Sequence, residues 1–356
     1  MKNIESLIIK VGSSAYKEIY NHGFDISKIR TILAASGGPK WLVLSQLDKL
    51  ILEKVIPKIH SPVRLISSSI GAWRFICYAQ KDSIKAINDF EKGYIEQYFF
   101  KKNNKRIISK HLRNTLDLIC SASGIKDVIE HPTFRTNIIT TRSHHILKSD
   151  FDPLLFFGLC SSMLANFFSR NNLKYFFSRG LFVDAREISL KLDHDGFTTH
   201  YIKLSEDNLK DAVIASSSIP LYLEGVKNIS GAPNGVYRDG GIIDYHLDLP
   251  CVDSGDYVLY PHFFDFLKPG WFDRSLPWRK FNLENLERTI LVCPSEKFIQ
   301  GLPGSKIPDR SDFNQFSNEE RIKIWRRVVN SCTKLADDFN EVLEKGQLPS
   351  IMRPFN

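Results

Sequence analysis

Two glycine- and serine-rich turns and one Asp-Gly-Gly triplet hold the residues of this 356-residue chain best suited to chemistry. The first turn is Ser36-Gly37-Gly38-Pro39-Lys40. Paired glycines let the backbone turn tightly with its N–H groups exposed, and a following helix adds positive potential at its N-terminus. Pro39 suits the first helical turn, where its missing N–H is not needed. Such a nest binds an anion, either a phosphate or the oxyanion of an acyl-transfer intermediate. Its spacing matches neither a Walker loop nor G-x-G-x-x-G. The plain alternative is a glycine turn with no ligand.

The second turn is Ser67-Ser68-Ser69-Ile70-Gly71. Small residues around a central serine fit a nucleophile elbow, in which a sharp turn projects the hydroxyl and the following N–H faces the oxyanion. The usual form is G-x-S-x-G, and Ser67 stands in place of its first glycine. The chain contains its own control, because Ser216-Ser217-Ser218-Ile219-Pro220 repeats the serines and the isoleucine but ends in proline. That copy follows a helical pattern rather than a strand and reads as structural. An attacking hydroxyl needs an oriented base. Asp239, followed by Gly240 and Gly241, is the best acid for it, the alternative being an ordinary Asp-Gly hairpin turn. Among the ten histidines, His246 is near enough in sequence to complete a Ser–His–Asp set, with His262 a second possibility. His144 and His145 are adjacent and point in different directions, so they do not read as a metal pair.

These residues need elements to position them. Residues 6–11, 31–35 and 63–67 read as short apolar strands, and 41–56 carries apolar residues at a helical period. Strand, helix and strand in that order make a βαβ unit and a parallel sheet. The first turn then joins a strand to the helix at Trp41, and the second joins a strand to a helix over 70–100, broken around Asp82 and Gly93. Further strands are expected at 135–141, 198–204, 257–260 and 289–293, with a helix at 209–216. Residues 297–312, rich in Gly and Pro, read as a linker or surface loop. Ser317-Asn318-Glu319-Glu320 is a capping box opening a helix that runs to Gly346. Its stripe of Ile322, Trp325, Val329, Cys332, Leu335, Phe339 and Val342 reads as core packing.

Hydrophobic residues at 43% and charged residues at 25% exclude disordered and fibrous classes. The 48 Lys and Arg outweigh the 40 Asp and Glu by 8, which favours an anionic partner, nucleic acid or membrane. No nucleic-acid module signature appears, and the cations are spread out, so nucleic acid is not expected. The six cysteines (Cys77, Cys120, Cys160, Cys251, Cys293 and Cys332) show no zinc or disulfide spacing, which predicts a reducing compartment. The first residues lack a secretory pattern, and the uncharged stretch 153–169 falls short of the ~20 residues of a membrane span. Residues 143–186 are aromatic-rich and poorly periodic. There Phe156, Phe157, Phe167, Phe168, Tyr175, Phe176, Phe177 and Phe182 interleave with Lys148, Arg170, Lys174, Arg179 and Arg186. That mixture suits contact with anionic lipid or, equally, an inserted subdomain packed on the core.

The glycine nest, then the serine elbow, then Asp-Gly-Gly about 170 residues later resemble the patatin-like phospholipases. That family's pattern is G-G-G-x-[KR]-G, G-x-S-x-G and D-G-[GA], and the likeness covers roughly residues 6 to 295. Ala215-Ser216 with Pro220 also resembles the family's helix-end A-S-x-x-x-P stretch. Ser36, Trp41 and Ser67 stand where the pattern has glycines.

The resemblance implies a three-layer α/β/α fold of patatin type with a mainly parallel central sheet. It implies an acyl hydrolase domain over residues 1–300, with 143–186 as a lid or membrane-contact insertion and a C-terminal helix over 313–346 packed on the same domain. It implies a lipid acyl hydrolase, of phospholipase A or lysophospholipase/carboxylesterase type, that uses a Ser–Asp dyad without histidine, no metal and no cofactor. Ser69 is then the nucleophile and Asp239 its base. The N–H groups of Gly37, Gly38 and Ile70 hold the oxyanion, and Lys40 occupies the family's basic position. Gly71 completes the elbow, and Gly240 and Gly241 the aspartate turn. The expected partners are a phospholipid or other acyl ester and an anionic membrane surface. The expected location is cytoplasmic and peripheral at membranes, or export as a bacterial effector without a cleaved signal. The rival reading is a relative that has lost activity and binds lipid or a protein.

Overall fold

The computed structural model describes residues 4–98, 104–187, 190–192, 195–250 and 255–355. The end of the helix expected over 70–100 and Cys251 lie outside these residues. The strands are β1 (Leu7–Val11), β2 (Ile29–Ala34), β3 (Val63–Ser68), β4 (Phe134–Ser143), β5 (Phe177–Val183), β6 (Thr199–Lys203), β7 (Val226–Lys227), β8 (Val236–Asp239), β9 (Tyr257–Pro261), β10 (Thr289–Pro294) and β11 (Arg353–Pro354). They form one sheet in the order β11-β1-β10-β9-β2-β3-β4-β5-β6, with β8 paired to β4 and β7 to β8. The central run β10-β9-β2-β3-β4 is parallel throughout. Strands β5, β9 and β10 are buried along their whole length, hence on both faces. A sheet covered on both sides is the middle of three layers, so the fold is α/β/α with a mainly parallel central sheet.

The βαβ unit forms as its periodicity predicts, with β2 and β3 parallel neighbours. The connecting helical stretch is a succession of turns of different tightness: 3₁₀ over Gly38–Leu44, α over Ser45–Leu50, π over Ile51–Val55 and 3₁₀ again over Ile56–Lys58. The next helix ends at Tyr78, and another, Ser83–Ile95, starts where the Asp82 carboxylate caps the Lys85 N–H. Gly93 lies inside that helix and does not break it. The C-terminal helix begins with the Ser317 capping box as predicted but divides at Cys332 into Asn318–Ser331 and Thr333–Glu344. All seven residues of its apolar stripe are buried in the core.

Strand β5 lies inside the stretch 143–186. Its sequence FSRGLFV shows no alternation because both faces are covered, and it buries Arg179 against Asp244 and Asp195. The rest of that stretch leaves the sheet as the helix Asp152–Phe168, flanked by short turns.

The length of β4 decides where the chemistry sits. Strand β3 runs parallel along one edge of β4 as far as the pair Ser68↔Ile139. Strand β8 runs antiparallel along the rest of that edge, ending at the pair Asp239↔Thr140. Ile139 and Thr140 are consecutive, so the ends of two strands 171 residues apart in sequence meet head to head.

Candidate active site

Ser69 is the residue between β3 and the helix Ile70–Tyr78 and has φ 57 and ψ −124, a strained conformation for a residue with a side chain. Its backbone is pinned from behind: the Ser69 N–H donates to Ser216 Oγ at 2.8 Å, and Ser216 Oγ donates to the Ile139 carbonyl at 2.6 Å. The helix that follows begins tight against β2. A Cβ on Gly71 would lie 2.2 Å from the Ala34 carbonyl oxygen, so only glycine fits there. The sharp turn thus rests on a missing side chain, a borrowed hydroxyl and a helix N-terminus.

The Ser69 hydroxyl donates to Asp239 Oδ2 at 2.7 Å, while Asp239 Oδ1 accepts the Gly241 N–H at 2.8 Å and the Asp239 N–H bonds the Ser218 carbonyl at 3.0 Å. Both residues are nearly buried, at 3% and 7% exposure. Burial raises the Asp239 carboxyl from its ordinary 3.8 to about 6, against the opposing pull of the Ser69 hydrogen bond, Arg310 and the Gly241 N–H. A carboxylate moved toward neutrality is a better base for a hydroxyl than one at its usual value. Gly240 lets this turn approach β4, since a Cβ there would lie 2.4 Å from the Ile139 carbonyl oxygen.

Ser69 and Asp239 line a cavity of about 260 Å³ with Ser36, Gly37, Lys40, Gly241, Tyr245, Trp271, Arg274 and Arg310 among its other walls. Of the residues singled out by sequence, Ser69, Asp239, Gly37, Lys40 and Gly241 face this space. Gly38, Ile70, Gly71 and Gly240 are buried and do not line it. Gly38 takes φ 55, the left-handed conformation that the paired glycines make available. Ser36 and Ser67 are both engaged in hydrogen bonds. Ser36 Oγ bonds Ser68 Oγ at 3.0 Å, tying the glycine turn to the end of β3, and Ser67 Oγ bonds the Asn137 carbonyl at 3.2 Å.

The histidine alternatives are not brought to the serine. His246 Nδ1 accepts the Lys268 N–H at 3.0 Å, His262 Nδ1 bonds the Phe264 backbone, and the two rings stand 4.4 Å apart. Both are buried, and burial holds the His262 imidazole down at about 3 and His246 well below its usual range. No group of three or more His, Cys, Asp or Glu among the described residues could hold a metal ion.

Sequence reasoning missed Ser216, Tyr245, Arg274 and Arg310. Ser216 lies in the second serine run, and its contact with the elbow is made where the end of the helix Leu209–Ser216 meets the turn after β3. Arg310 lies in 297–312, read as a surface loop. Residues 309–311 instead form a wall of the cavity.

A larger cavity, of about 640 Å³, lies between the helices Ser83–Ile95 and Lys105–Ile119, but its lining includes no serine or cysteine nucleophile.

No protein-family model matches the chain, and no curated protein does. Among solved structures the chain is similar to VipD from Legionella pneumophila, with a TM-score of 0.32 and 11% identity. The likeness covers 68% of this chain and 51% of VipD, so it spans about half the length of that protein.

Proposed function

We propose that the chain is a lipid acyl hydrolase of the patatin-like kind, cleaving carboxylic esters with Ser69 and Asp239. The observation that carries this reading is the 2.7 Å hydrogen bond from the Ser69 hydroxyl to a buried carboxylate, made at a strained strand-to-helix turn that opens into a cavity. In the first step Asp239 takes the hydroxyl proton as Ser69 Oγ attacks the ester carbonyl. The oxyanion forms beside the glycine turn, where Gly37 lines the cavity and the N-terminus of the helix at Ile70 adds positive potential. Asp239 returns the proton to the departing alkoxide, leaving an acyl-Ser69. Water, deprotonated by the same carboxylate, then releases the acid.

A lipid substrate is favoured by the surroundings. A second cavity of about 460 Å³ shares Lys40, Tyr245, Trp271 and Arg274 with the first and adds Met163, Phe264, Phe266 and Phe272. Next to it the helix Asp152–Phe168 exposes Phe156, Phe157, Met163, Leu164, Phe167 and Phe168. An apolar face of this size beside the site mouth is suited to lying on a membrane, with the surplus of cations favouring anionic lipid. No helix among the described residues is long and apolar enough to cross a membrane.

Hydrolysis of a short p-nitrophenyl ester and of phospholipid vesicles by wild type, Ser69→Ala and Asp239→Asn tests the reading. Activity lost in both variants is the expected result. A Ser69→Ala protein as active as wild type overturns the assignment.

A further inference from the structure

The cavity over Ser69 is lined by three cationic side chains that make no close ion pair with a described residue. Lys40 comes from the glycine turn, Arg274 from the segment after Trp271–Asp273, and Arg310 from the loop before the C-terminal helices, and all three line the one cavity. Among the described residues none of them has a carboxylate within 4.0 Å; Lys40 is half-buried and the two arginines are exposed, whereas the buried Arg74, Arg179 and Arg238 are each paired, with Asp48, Asp244 and Asp150. The two acids in the cavity wall are engaged. Asp239 is held by Ser69 and Gly241, and Asp309 by the Ser311 N–H and hydroxyl at 2.7 and 2.6 Å, with Lys306 Nζ at 3.6 Å.

We propose that Lys40, Arg274 and Arg310 form a seat for the phosphate of an anionic acyl ester, holding the head of the substrate while its ester carbonyl lies over Ser69. This rests on the hydrolase reading above and adds the chemistry of the substrate to it. Two guanidinium forks and an ammonium converging on one space suit a multiply charged anion with several oxygens, which can accept paired N–H donors. Both arginines are exposed to solvent, and each rests against a neighbouring group. The Arg310 guanidinium stands over the glycine turn, with Nε 3.3 Å from where a Cβ on Gly38 would be, and the Arg274 guanidinium lies over the Tyr245 ring at 5.4 Å from its centroid. Burial and then the charge of Arg274 bring the Lys40 ammonium down to about 8, with Asp309 pulling the other way and Arg310 adding to the fall. A bound dianion relieves that repulsion. A cavity of about 260 Å³ takes the head and the reacting ester, and the adjoining apolar-edged cavity gives the chain an exit.

The test uses Ser69→Ala, so that nothing is turned over. Calorimetric titrations are run with a short-chain monomeric acylglycerol phosphate, with the matching acylglycerol and with inorganic phosphate. The expected result is that the phosphorylated ester binds on the order of tenfold or more tighter than the neutral one. That preference shrinks to about threefold or less when Arg274→Ala and Arg310→Ala are added, and Arg310→Lys retains part of it. Two esters bound equally, or a preference that survives loss of both arginines, overturns the seat. Inorganic phosphate bound as tightly as the phosphorylated ester also overturns it as part of a substrate site, because the acyl portion then contributes nothing. The hydrolase reading is scored apart, by Ser69-dependent cleavage of a neutral p-nitrophenyl ester by the wild type, so the failure of one is distinguishable from the failure of the other.

Discussion

The same four residues, Ser-Ser-Ser-Ile, occur at 67–70 and at 216–219, and the fold brings the two copies into contact. The first copy ends a strand and enters a helix. Its hydroxyls go to the Asn137 carbonyl, to Ser36 and to the Asp239 carboxylate. The second copy ends the helix Leu209–Ser216, and its hydroxyls go to backbone carbonyls, Ser216 to Ile139 and Ser217 and Ser218 to the preceding helical turn. Only Ser69 combines a positive φ, a buried carboxylate and an open cavity. The second copy supplies what the first cannot make for itself: an acceptor for the Ser69 N–H and, through the Ser218 carbonyl, one for the Asp239 N–H. Reactivity in a serine run belongs to the turn and its neighbours rather than to the residue type.

The comparison breaks most readily at the central serines. Ser69→Ala is expected to lower kcat/KM by about a thousandfold or more, by analogy with other nucleophile–base sets. Ser218→Ala, at the matching position of the other copy, removes only a bond to the Ile214 carbonyl and is expected to stay within about threefold of wild type. Equal losses in the two would erase the distinction. Asp239→Asn should match Ser69→Ala, and in wild type kcat/KM should rise tenfold per pH unit and level off above about 6, as the Asp239 carboxyl ionises.

A stability measurement sharpens the same point. The folded Asp239 carboxyl is raised from 3.8 to about 6, so its contribution to stability is full below about pH 4 and is lost as pH rises through 6. Asp239→Asn removes that ionisation and is expected to stabilise the chain by about 2–3 kcal/mol at pH 8 relative to pH 4, read by denaturant unfolding at the two values. Ser216→Ala leaves the buried Ser69 N–H without its acceptor. It should cost about 1–3 kcal/mol of stability and lower kcat about tenfold with KM little changed, because the residue positions the serine without touching substrate. The smallest effect is conformational. Ser69→Gly relieves the positive φ that Ser69→Ala retains, so the glycine variant should be about 1 kcal/mol more stable than the alanine variant in denaturant unfolding.

Much of this was legible in the sequence wherever a local rule applies. The βαβ unit, the capping box at Ser317 and the apolar stripe after it follow from period and cap chemistry, and the spacing of small residues marked both turns. What escaped depends on distance in sequence. Strand β5 shows no alternation because both of its faces are buried and its charge is paired with Asp195 and Asp244. Strand β8 is only four residues long, too short for a periodic signal, yet it carries Asp239 to the end of β3. Arg274 and Arg310 belong to loops that no motif marks, and their nearness to Lys40 emerges only where three segments meet at one cavity.

An activated Ser69 nucleophile is directly detectable. Exposure to a long-chain fluorophosphonate followed by peptide mass spectrometry reports it, because the probe forms a covalent bond only with a serine whose proton is being taken. The predicted result is one adduct, on the tryptic peptide 65–74 that contains Ser69, absent from Ser69→Ala and much reduced in Asp239→Asn. No adduct on that peptide, or labelling unaffected by Asp239→Asn, would contradict the dyad.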